Sequence, residues 1–348
     1  MRKLLLFVNA VLVFFTLMSY LSASTSPVST KLFYFIGLAY PWLLIFNVLF
    51  IGFWLLKKQR YWLYSLIVLL IGWSSLTKYW GLSLTDGSSQ KQAIKILTYN
   101  TGAFEYDVKD KSEIPKRIAE ANAFFAENKP DIVCFQEYAE THKTAAEQTR
   151  IFPYFANFYV AHPVEKALLI FSKYPIANTG FLDFDTGNND VIFADINVNG
   201  SFIRFYCAHL KSNSVSGRTN TLIKNKEFDK ASATTSRSVL SQVKKEYSVR
   251  AEQAEKLKTH IGHSPYPVVV CGDFNDTPQT YTYATVSENL QDSWQEKGFG
   301  RGSTYAGAIP FLRIDYILAS KKLEVIDCDV LRSADFSDHY PVSAVIGF

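Results

Sequence analysis

The stretch Val268-Val269-Val270-Cys271-Gly272-Asp273-Phe274-Asn275-Asp276 decides the fold, because an apolar run ends there in a carboxylate, a carboxamide and a second carboxylate. The short β-branched run predicts a strand that is buried on both faces. Gly272 allows the backbone to bend, and Pro278 bars a simple continuation of the strand. We therefore expect a buried strand that delivers polar groups to an edge of the fold.

Asp273 and Asn275 are two residues apart and face the same side of an extended backbone. A carboxylate beside an amide can hold a hard cation or a water molecule and can also donate a hydrogen bond to an anionic oxygen. The alternative is an Asx-turn, in which the two side chains bond only their own backbone. Asp276 is expected to be a solvated turn residue rather than a catalyst.

Further apolar runs predict a mixed set of strands and helices. Strands are expected over 94–100, 131–137, 167–172, 191–198, 201–210, 313–319, 323–331 and 340–346. Asn199-Gly200 predicts a hairpin between two of these strands. Helices are expected over 112–128, where a capping box precedes an apolar stripe, and from about 238 to 261. This order predicts a layered α+β domain and not a doubly wound parallel sheet.

The first 85 residues are strongly apolar and contain seven basic residues but no aspartate or glutamate. Apolar spans at about 4–21, 32–56 and 62–82 are expected to form two to three transmembrane helices, the third being marginal. A buried helical bundle of a soluble protein is the alternative interpretation. A short polar linker over 86–92 would then lead to a catalytic domain over 93–348.

The positions of the basic residues predict the orientation of these spans. Such residues precede the first span or lie between the second and third, at Arg2, Lys3, Lys57, Lys58 and Arg60. Positive charge favours the cytoplasmic side, so the domain after residue 85 is expected on the extracytoplasmic side of an inner or plasma membrane. A signal-peptidase site at Ser22-Ala23-Ser24 would remove one crossing and leave this placement unchanged.

The charge distribution argues against a general nucleic-acid footprint. The formal net charge is +4, but the residues after 85 hold 29 of the 36 basic residues and all 32 acidic ones, so this part is slightly acidic. Residues 211–250 are locally basic, and we expect an exposed insertion over about 211–240. This segment either steers a polyanion or is a solvated, flexible loop.

The four cysteines are Cys134, Cys207, Cys271 and Cys328. Three of them lie in apolar, strand-like runs just before polar residues. They are therefore expected to be small buried hydrophobes and not disulfide partners. Their spacing does not indicate a zinc site.

Polar residues gather where the predicted strands begin or end. They are Asn100, Gln136-Glu137, His209, Asp273, Asn275, Asp315 and Ser337-Asp338-His339. Catalytic groups commonly lie on loops at the ends of strands in a rigid scaffold. Because buried unpaired carboxylates are costly, their expected proximity indicates a cation among them.

These residues lie in motifs that resemble the endonuclease/exonuclease/phosphatase superfamily, which includes deoxyribonuclease-I-like nucleases, abasic-site endonucleases, neutral sphingomyelinases and inositol-polyphosphate 5-phosphatases. The resemblance covers about 93–348 and rests on motifs in the family's order: Tyr99-Asn100, Gln136-Glu137, Phe171-Ser172-Lys173-Tyr174-Pro175-Ile176, His209-Leu210, Gly272-Asp273-Phe274-Asn275, Arg313-Ile314-Asp315-Tyr316 and Ser337-Asp338-His339. It implies a four-layer sandwich, in which two β-sheets pack face to face with helices outside. In this chain the transmembrane helices would precede that sandwich.

The resemblance also implies a metal site. Glu137 is expected to be the main ligand of Mg²⁺, with Mn²⁺ as the alternative ion and Asn100 close by. A salt bridge from Glu137 to Lys173 or Arg313 is the competing structural explanation for this carboxylate.

The resemblance implies catalytic roles for five residues. His339, paired with Asp338, would activate or steady an in-line attack on phosphorus, unless it is only a core histidine held by its neighbour. Asp273 would orient the attacking water, and Asn275 and His209 would bind phosphoryl oxygens.

Supporting roles are implied for Asp315, which would hold a histidine or a second cation, and for Arg313, which would pair with Asp315. The chain departs from the family pattern near Ala167, where relatives usually have a glycine. Glu165 is the expected support of His209 at that place. The basic insertion after Leu210 is a second departure.

The sequence therefore predicts a membrane-tethered, Mg²⁺-dependent hydrolase that cleaves phosphate ester bonds outside the cytoplasm. A phosphodiesterase of the nuclease-like or sphingomyelinase-like kind is expected, acting on a nucleic acid or a phospholipid headgroup, with no protein partner. The alternative is a catalytically silent module of the same fold that binds a phosphate ligand or a partner.

Overall fold

A computed structural model describes residues 1–27, 32–84, 92–106, 108, 110–138, 157–161, 167–184, 190–212, 233–307 and 309–348. Helices α1 to α9 span Arg2–Ser22, Leu32–Leu38, Tyr40–Leu56, Trp62–Ile71, Trp73–Tyr79, Ile114–Asn128, Ala233–Gly262, Tyr281–Val286 and Ser293–Lys297. Strands β1 to β14 span Trp80–Leu82, Ala93–Asn100, Ile132–Tyr138, Asn157–Ala161, Ala167–Ser172, Ile176–Leu182, Val191–Val198, Ser201–His209, Val268–Asp273, Leu290–Asp292, Phe299–Arg301, Asp315–Ser320, Glu324–Val330 and Val342–Gly347.

Two six-stranded sheets form the centre of the molecule. Their strand orders are β10-β12-β9-β8-β7-β6 and β13-β14-β2-β3-β5-β4. The pairs β2–β3 and β8–β9 are parallel, and the other pairs in these sheets are antiparallel. A cluster of buried aliphatic side chains from both sheets fills the space between them.

Helices cover the outer face of each sheet and complete four layers. Ala121 and Phe125 of α6 pack on one sheet, while Ala254 and Leu257 of α7 and Tyr283 of α8 pack on the other. The predicted four-layer sandwich is confirmed. Strand β9 lies inside it and is buried along its whole length, since the inter-sheet core covers one face and helices cover the other.

The strands that sequence patterns did not predict are short or lie at an edge. Strand β6 ends one sheet, and all of its residues are exposed or half-buried, without an apolar run. Strands β1, β10 and β11 have three residues each. Such elements carry too few buried side chains to give a periodic signal.

The N-terminal helices differ in length from the predicted spans. Among the described residues, α1 is the one helix that is long and apolar enough to cross a membrane, while α3 and α4 are shorter apolar helices. The predicted span 32–56 is divided at Ala39 into α2 and α3, and the span 62–82 is divided at Gly72 into α4, α5 and then β1. Pro41 lies in the first turn of α3, where its missing N–H leaves no intrahelical bond unmade.

Polar side chains face the inside of this helical segment and apolar ones face outward. Asn9 Nδ2 donates to Ser65 Oγ at 2.8 Å, and Asn47 Nδ2 donates to Thr16 Oγ1 at 2.8 Å. All four residues are buried, whereas large apolar residues such as Phe7 are exposed. Buried polar contacts therefore link α1 to α3 and α4, while much of the apolar surface of these helices faces outward.

Backbone hydrogen bonds and a buried ion pair join the helical segment to the two-sheet domain. Strand β1 pairs with β11 in an antiparallel ribbon. The guanidinium of Arg313 forms a buried ion pair with Asp292 and donates from Nη1 to the carbonyl of Lys78 at 2.8 Å. Burial alone would raise the pKa of Asp292, but Arg313 outweighs it and lowers that pKa below the usual value.

We expect Asp292→Asn to lower the free energy of unfolding by about 3–5 kcal/mol at pH 7, because it leaves the Arg313 charge buried without a partner. A lowered pKa in the folded state means that the carboxylate stabilises the fold above the unfolded-state pKa of about 4. That contribution is lost as the pH falls through the folded-state pKa. The difference between wild type and variant should therefore shrink in acid, as measured by denaturant titrations at a series of pH values.

Glu288→Gln is the matched control, since it breaks the exposed pair of Lys258 and Glu288. Exposed pairs contribute little, so its unfolding midpoint should stay close to that of the wild type. An equal effect of the two substitutions would contradict the role assigned to the buried pair.

Candidate active site

The ends of strands from both sheets meet at one place. Asn100 closes β2, Glu137 lies near the end of β3, His209 closes β8, Asp273 closes β9, and Asp315 opens β12. His339 approaches from the turn before β14 and bridges to Tyr305. The structure thus brings together polar groups that are separated by up to about 240 positions in the chain.

Asp273 is the centre of this group and is only 1 % exposed. Its carboxylate accepts hydrogen bonds from Asn100 Nδ2 at 2.9 Å and from Asn275 Nδ2 at 3.1 Å, and also from the Asn275 backbone N–H at 2.7 Å. Burial raises the pKa of Asp273 to about 7; the charge of His339 opposes this shift and that of Asp315 adds to it. The carboxylate is thus able to exchange a proton near neutral pH.

Gly272 makes this position of Asp273 possible. Its φ is +139°, and a Cβ atom there would lie 2.0 Å from the carbonyl oxygen of Ala208 in the neighbouring strand β8. Only glycine lets the two parallel strands approach so closely.

His339 is held by the carboxylate of Asp315, one of the two supporting roles expected for that residue. Its Nδ1 lies 3.0 Å from Asp315 Oδ2, and its Nε2 lies 3.9 Å from Asp273 Oδ2. Asp338, the residue expected to pair with His339, lines the same cavity and acts on the imidazole through its charge, while the contact to the ring comes from Asp315. Burial alone would lower the pKa of His339, but the charges of Asp315 and Asp273 raise it well above its usual value.

Glu137 points toward the same group from an irregular part of β3. Its φ is +50°, the β3–β5 register shifts between Phe135 and Tyr138, and Thr101 Oγ1 donates to its carbonyl at 2.9 Å. Glu137 Oε1 lies 3.4 Å from Asn100 Nδ2 and 3.5 Å from His209 Nε2.

Lys173 and Arg313, the two alternative salt-bridge partners considered for Glu137, pair with other carboxylates. Lys173 pairs with Asp131 at 3.1 Å, and Arg313 pairs with Asp292. The expected pair of Arg313 with Asp315 is therefore also wrong. Arg313 precedes β12 and turns toward α9 and the N-terminal segment, away from the site residues.

Asp276 is buried, contrary to the expectation of a solvated turn residue. Helix α7 places Arg250 against it, with Nε 3.3 Å from Asp276 Oδ2. Both side chains are fully buried, so this turn is a folded part of the site's support. A contact between residues 26 positions apart has no local sequence signal.

Three predictions fall partly or wholly outside the described residues. Glu165 lies there, as does most of the basic insertion, at 213–232, and the predicted linker lies almost entirely there. The helix expected from about 238 is present and begins earlier, at Ala233. The four cysteines are buried and free, as expected.

Comparison with known proteins identifies the family. The family model described as "Endonuclease/Exonuclease/phosphatase family" matches residues 97–339, which is more than half of the chain. The chain belongs to this family. A second model, for a domain of unknown function, matches residues 2–79, the N-terminal helical segment. No curated protein matches the chain in a sequence search.

Solved structures of the endonuclease/exonuclease/phosphatase family share the fold. A family protein from Bacteroides vulgatus has 17 % identity and a TM-score of 0.54, covering 74 % of this chain and 100 % of its own. A protein from Bacteroides thetaiotaomicron has 16 % identity and a TM-score of 0.53, covering 75 % and 99 %. TDP2 of D. rerio, in complex with a single-stranded DNA product, has 14 % identity and a TM-score of 0.52, covering 74 % and 100 %.

Members of the family are typically divalent-metal-dependent, and the donors in this chain fit such an ion. Two carboxylates, those of Glu137 and Asp273, share the amide of Asn100 as a hydrogen-bond donor. The ligand atoms of Asp273, Asp315 and His339 lie within 4.8 Å of one another. Carboxylate oxygens suit a hard cation such as Mg²⁺, while the Asn100 Oδ1 accepts a hydrogen bond from the Gly102 N–H at 3.1 Å.

We expect Gly272→Ala to reduce the yield of folded protein sharply, because the added methyl group would collide with the Ala208 carbonyl. Gly262→Ala is the control, since a Cβ atom there meets no atom within 4 Å and its φ is ordinary. Thermal unfolding of the two purified variants measures the effect. Equal unfolding midpoints would show that the close approach of β8 and β9 is not a constraint.

Proposed function

We propose that the protein is a metal-dependent hydrolase of phosphate esters, most simply a phosphodiesterase, tethered to a membrane. The observation that carries this proposal is the convergence of Asn100, Glu137, His209, Asp273 and His339 at one place, where the polar atoms of neighbouring side chains lie 2.9–3.9 Å apart. Packing alone has no need to bury the carboxylates of Asp273 and Asp315 together with the imidazoles of His209 and His339.

Asp273 and His339 are proposed to handle the protons of the reaction. Asp273 has a pKa near neutrality and takes the proton that an attacking water releases. His339 is held at Nδ1 by Asp315, and the charges of Asp315 and Asp273 raise its pKa well above the usual value, which favours an imidazolium whose Nε2–H can donate to a phosphoryl oxygen.

Asn275 and His209 are proposed to contact the phosphate. Asn275 Nδ2 donates to the Leu210 carbonyl and to Asp273, each at 3.1 Å, and would exchange the second bond for one to a phosphoryl oxygen. His209 Nε2 lies 3.5 Å from Glu137 Oε1, 3.9 Å from Asp273 Oδ2 and 3.3 Å from Ser212 Oγ.

Glu137 and Asn100 would hold the metal ion, with Asp273 adjacent. When bound, such an ion offsets negative charge on the phosphoryl group and the leaving oxygen. This neutralisation also relieves the mutual repulsion of the clustered carboxylates.

A catalytically silent module of the same fold explains the site less well. A binding pocket for phosphate is best lined by cations and N–H donors. Here the described lining carries several carboxylates instead, which repel a phosphate unless a cation is present.

The membrane placement rests on the N-terminal helices. Their apolar residues face outward, and their polar residues pair inside. Arg2 donates to the Tyr61 hydroxyl at 3.1 Å, so the N-terminus and the basic loop between α3 and α4 share one end of the bundle. Ser19 and Lys78 contact the catalytic domain at the other end. The basic residues lie at the end of the bundle that is remote from the catalytic domain, and positive charge favours the cytoplasmic side. The catalytic domain is therefore placed on the extracytoplasmic side.

We expect His339→Asn to lower kcat by about 10²–10⁴-fold in the full chain, because it removes a proton donor in the transition state. Hydrolysis of bis(4-nitrophenyl) phosphate in detergent with Mg²⁺ measures this, and a chelator should abolish turnover in the wild type. His263→Asn, a histidine outside the site, is the matched control and should retain full activity. Folded wild-type protein that cleaves no phosphate ester with any divalent ion would refute the proposal.

For the topology, alkaline phosphatase fused after Phe348 should be active in cells, because that enzyme requires export to fold. A cytoplasmic reporter fused at the same residue should be inactive. The reverse pattern would contradict the extracytoplasmic placement.

A further inference from the structure

The cavity at the site has an apolar part that the hydrolytic residues do not require. Its volume is about 730 Å³, which is within the range of small-molecule sites. Glu137, Asp273 and His339 line it together with five residues of the N-terminal helices. These five, called here the N-terminal wall, are Tyr34, Phe35, Leu38, Ala39 and Trp42. The N-terminal helices and the proposed catalytic groups therefore line one and the same cavity.

The N-terminal wall is fixed to the catalytic domain beside the site. Tyr34 stacks on Tyr247 of α7 with ring centroids 3.8 Å apart, and its hydroxyl accepts a hydrogen bond from Arg250 Nη2 at 3.0 Å. Arg250 also pairs with Asp276, the residue after Asn275. One buried chain of contacts therefore sets the distance between the wall and the phosphate-binding residues.

Apolar residues also line the cavity from the loop before β12. They are Tyr305, Ile309, Leu312 and Ile314. Among the described lining residues there is no lysine or arginine, whereas a nucleic-acid strand needs cations along its phosphates. This lining favours a substrate that has one phosphate and an apolar body.

The apolar surface continues from the cavity onto the outside of α3. Trp42 lies in the first turn of this helix, and farther along it Phe46 and Leu49 are 50 % and 59 % exposed. The 17 residues of α3 extend about 25 Å, close to the thickness of a bilayer's hydrocarbon core. A bilayer around α3 would therefore reach the mouth of the cavity.

We propose that the N-terminal wall binds the apolar part of an amphiphilic phosphate ester, a phospholipid-type substrate taken from the bilayer around α3. This inference rests on the proposed phosphoesterase function and adds the substrate class.

In the reaction, the oxygen of water forms a bond to phosphorus, and the bond from phosphorus to the leaving oxygen breaks. Asp273 takes the proton of the water, and the leaving oxygen departs as an alcohol with a proton supplied from His339.

Two esters that differ only in their apolar group test the inference. Methyl 4-nitrophenyl phosphate and octyl 4-nitrophenyl phosphate have the same scissile bond, and the octyl ester is used below its critical micelle concentration. With the full chain and Mg²⁺, we expect kcat/KM for the octyl ester to exceed that for the methyl ester at least about tenfold. Leu38→Ala should lower this ratio about fivefold, because it removes apolar contact from the wall.

Leu70→Ala is the matched control, since Leu70 is an exposed residue of α4 that does not line the cavity, and its ratio should equal that of the wild type. The ratio is taken within one preparation, so partial unfolding lowers both rates together and leaves it unchanged. Phe35→Ala provides a second variant in the wall if Leu38→Ala does not fold, with the same expected direction.

The failures of the two proposals are distinguishable. Cleavage of neither ester by folded protein overturns the phosphoesterase function and the inference together. Cleavage of both esters at a ratio near one, or a ratio that the wall variants do not change, overturns the inference and leaves the hydrolase proposal standing. Faster cleavage of a single-stranded oligonucleotide than of the octyl ester would assign the site to nucleic acid, and this result also overturns the inference.

Discussion

Removing the carboxylate of Asp273 from water is the constraint on which the rest of the site depends. A buried carboxylate is unfavourable unless its oxygens are bonded and its charge is offset. Asn100 and Asn275 supply the bonds, and His339 supplies positive charge. His339 can carry that charge because Asp315 holds its other nitrogen. His339 thus offsets the buried charge of Asp273, and Asp315 in turn offsets the charge of His339.

The same constraint explains why strands from two sheets must meet at one edge. Asn100 and Glu137 come from one sheet, while Asp273 and Asp315 come from the other. Within the sheet that carries Asp273 and Asp315, Gly272 has no side chain to separate β9 from its neighbour β8. The apolar core between the sheets fixes their relative position. Site geometry is therefore a consequence of core packing as well as of the polar residues themselves.

Much of this architecture could be predicted from local sequence patterns, and the remainder depends on contacts between distant residues. Strands β2, β3 and β9 and helices α6 and α7 follow from apolar periodicity, since burial on one or both faces selects such residues. The contact between His339 and Asp315, 24 positions away, has no local sequence signal, and only the family resemblance implies it. The burial of Asp276 likewise depends on Arg250. The division of an apolar span at Ala39 has only Pro41 as a local sign, and a proline is also tolerated within a membrane helix.

The attachment of the N-terminal helices at two places has a consequence for how the protein would meet its substrate. The β1–β11 ribbon and the Tyr34 contacts prevent the catalytic domain from swinging on a flexible tether. In the proposed membrane setting, the cavity would stay at a constant height above the bilayer and move only as the whole protein diffuses laterally. The protein would then meet its substrate by diffusion in two dimensions. The rate of encounter would depend on the surface density of substrate in its own membrane and hardly at all on the substrate concentration in the surrounding solution.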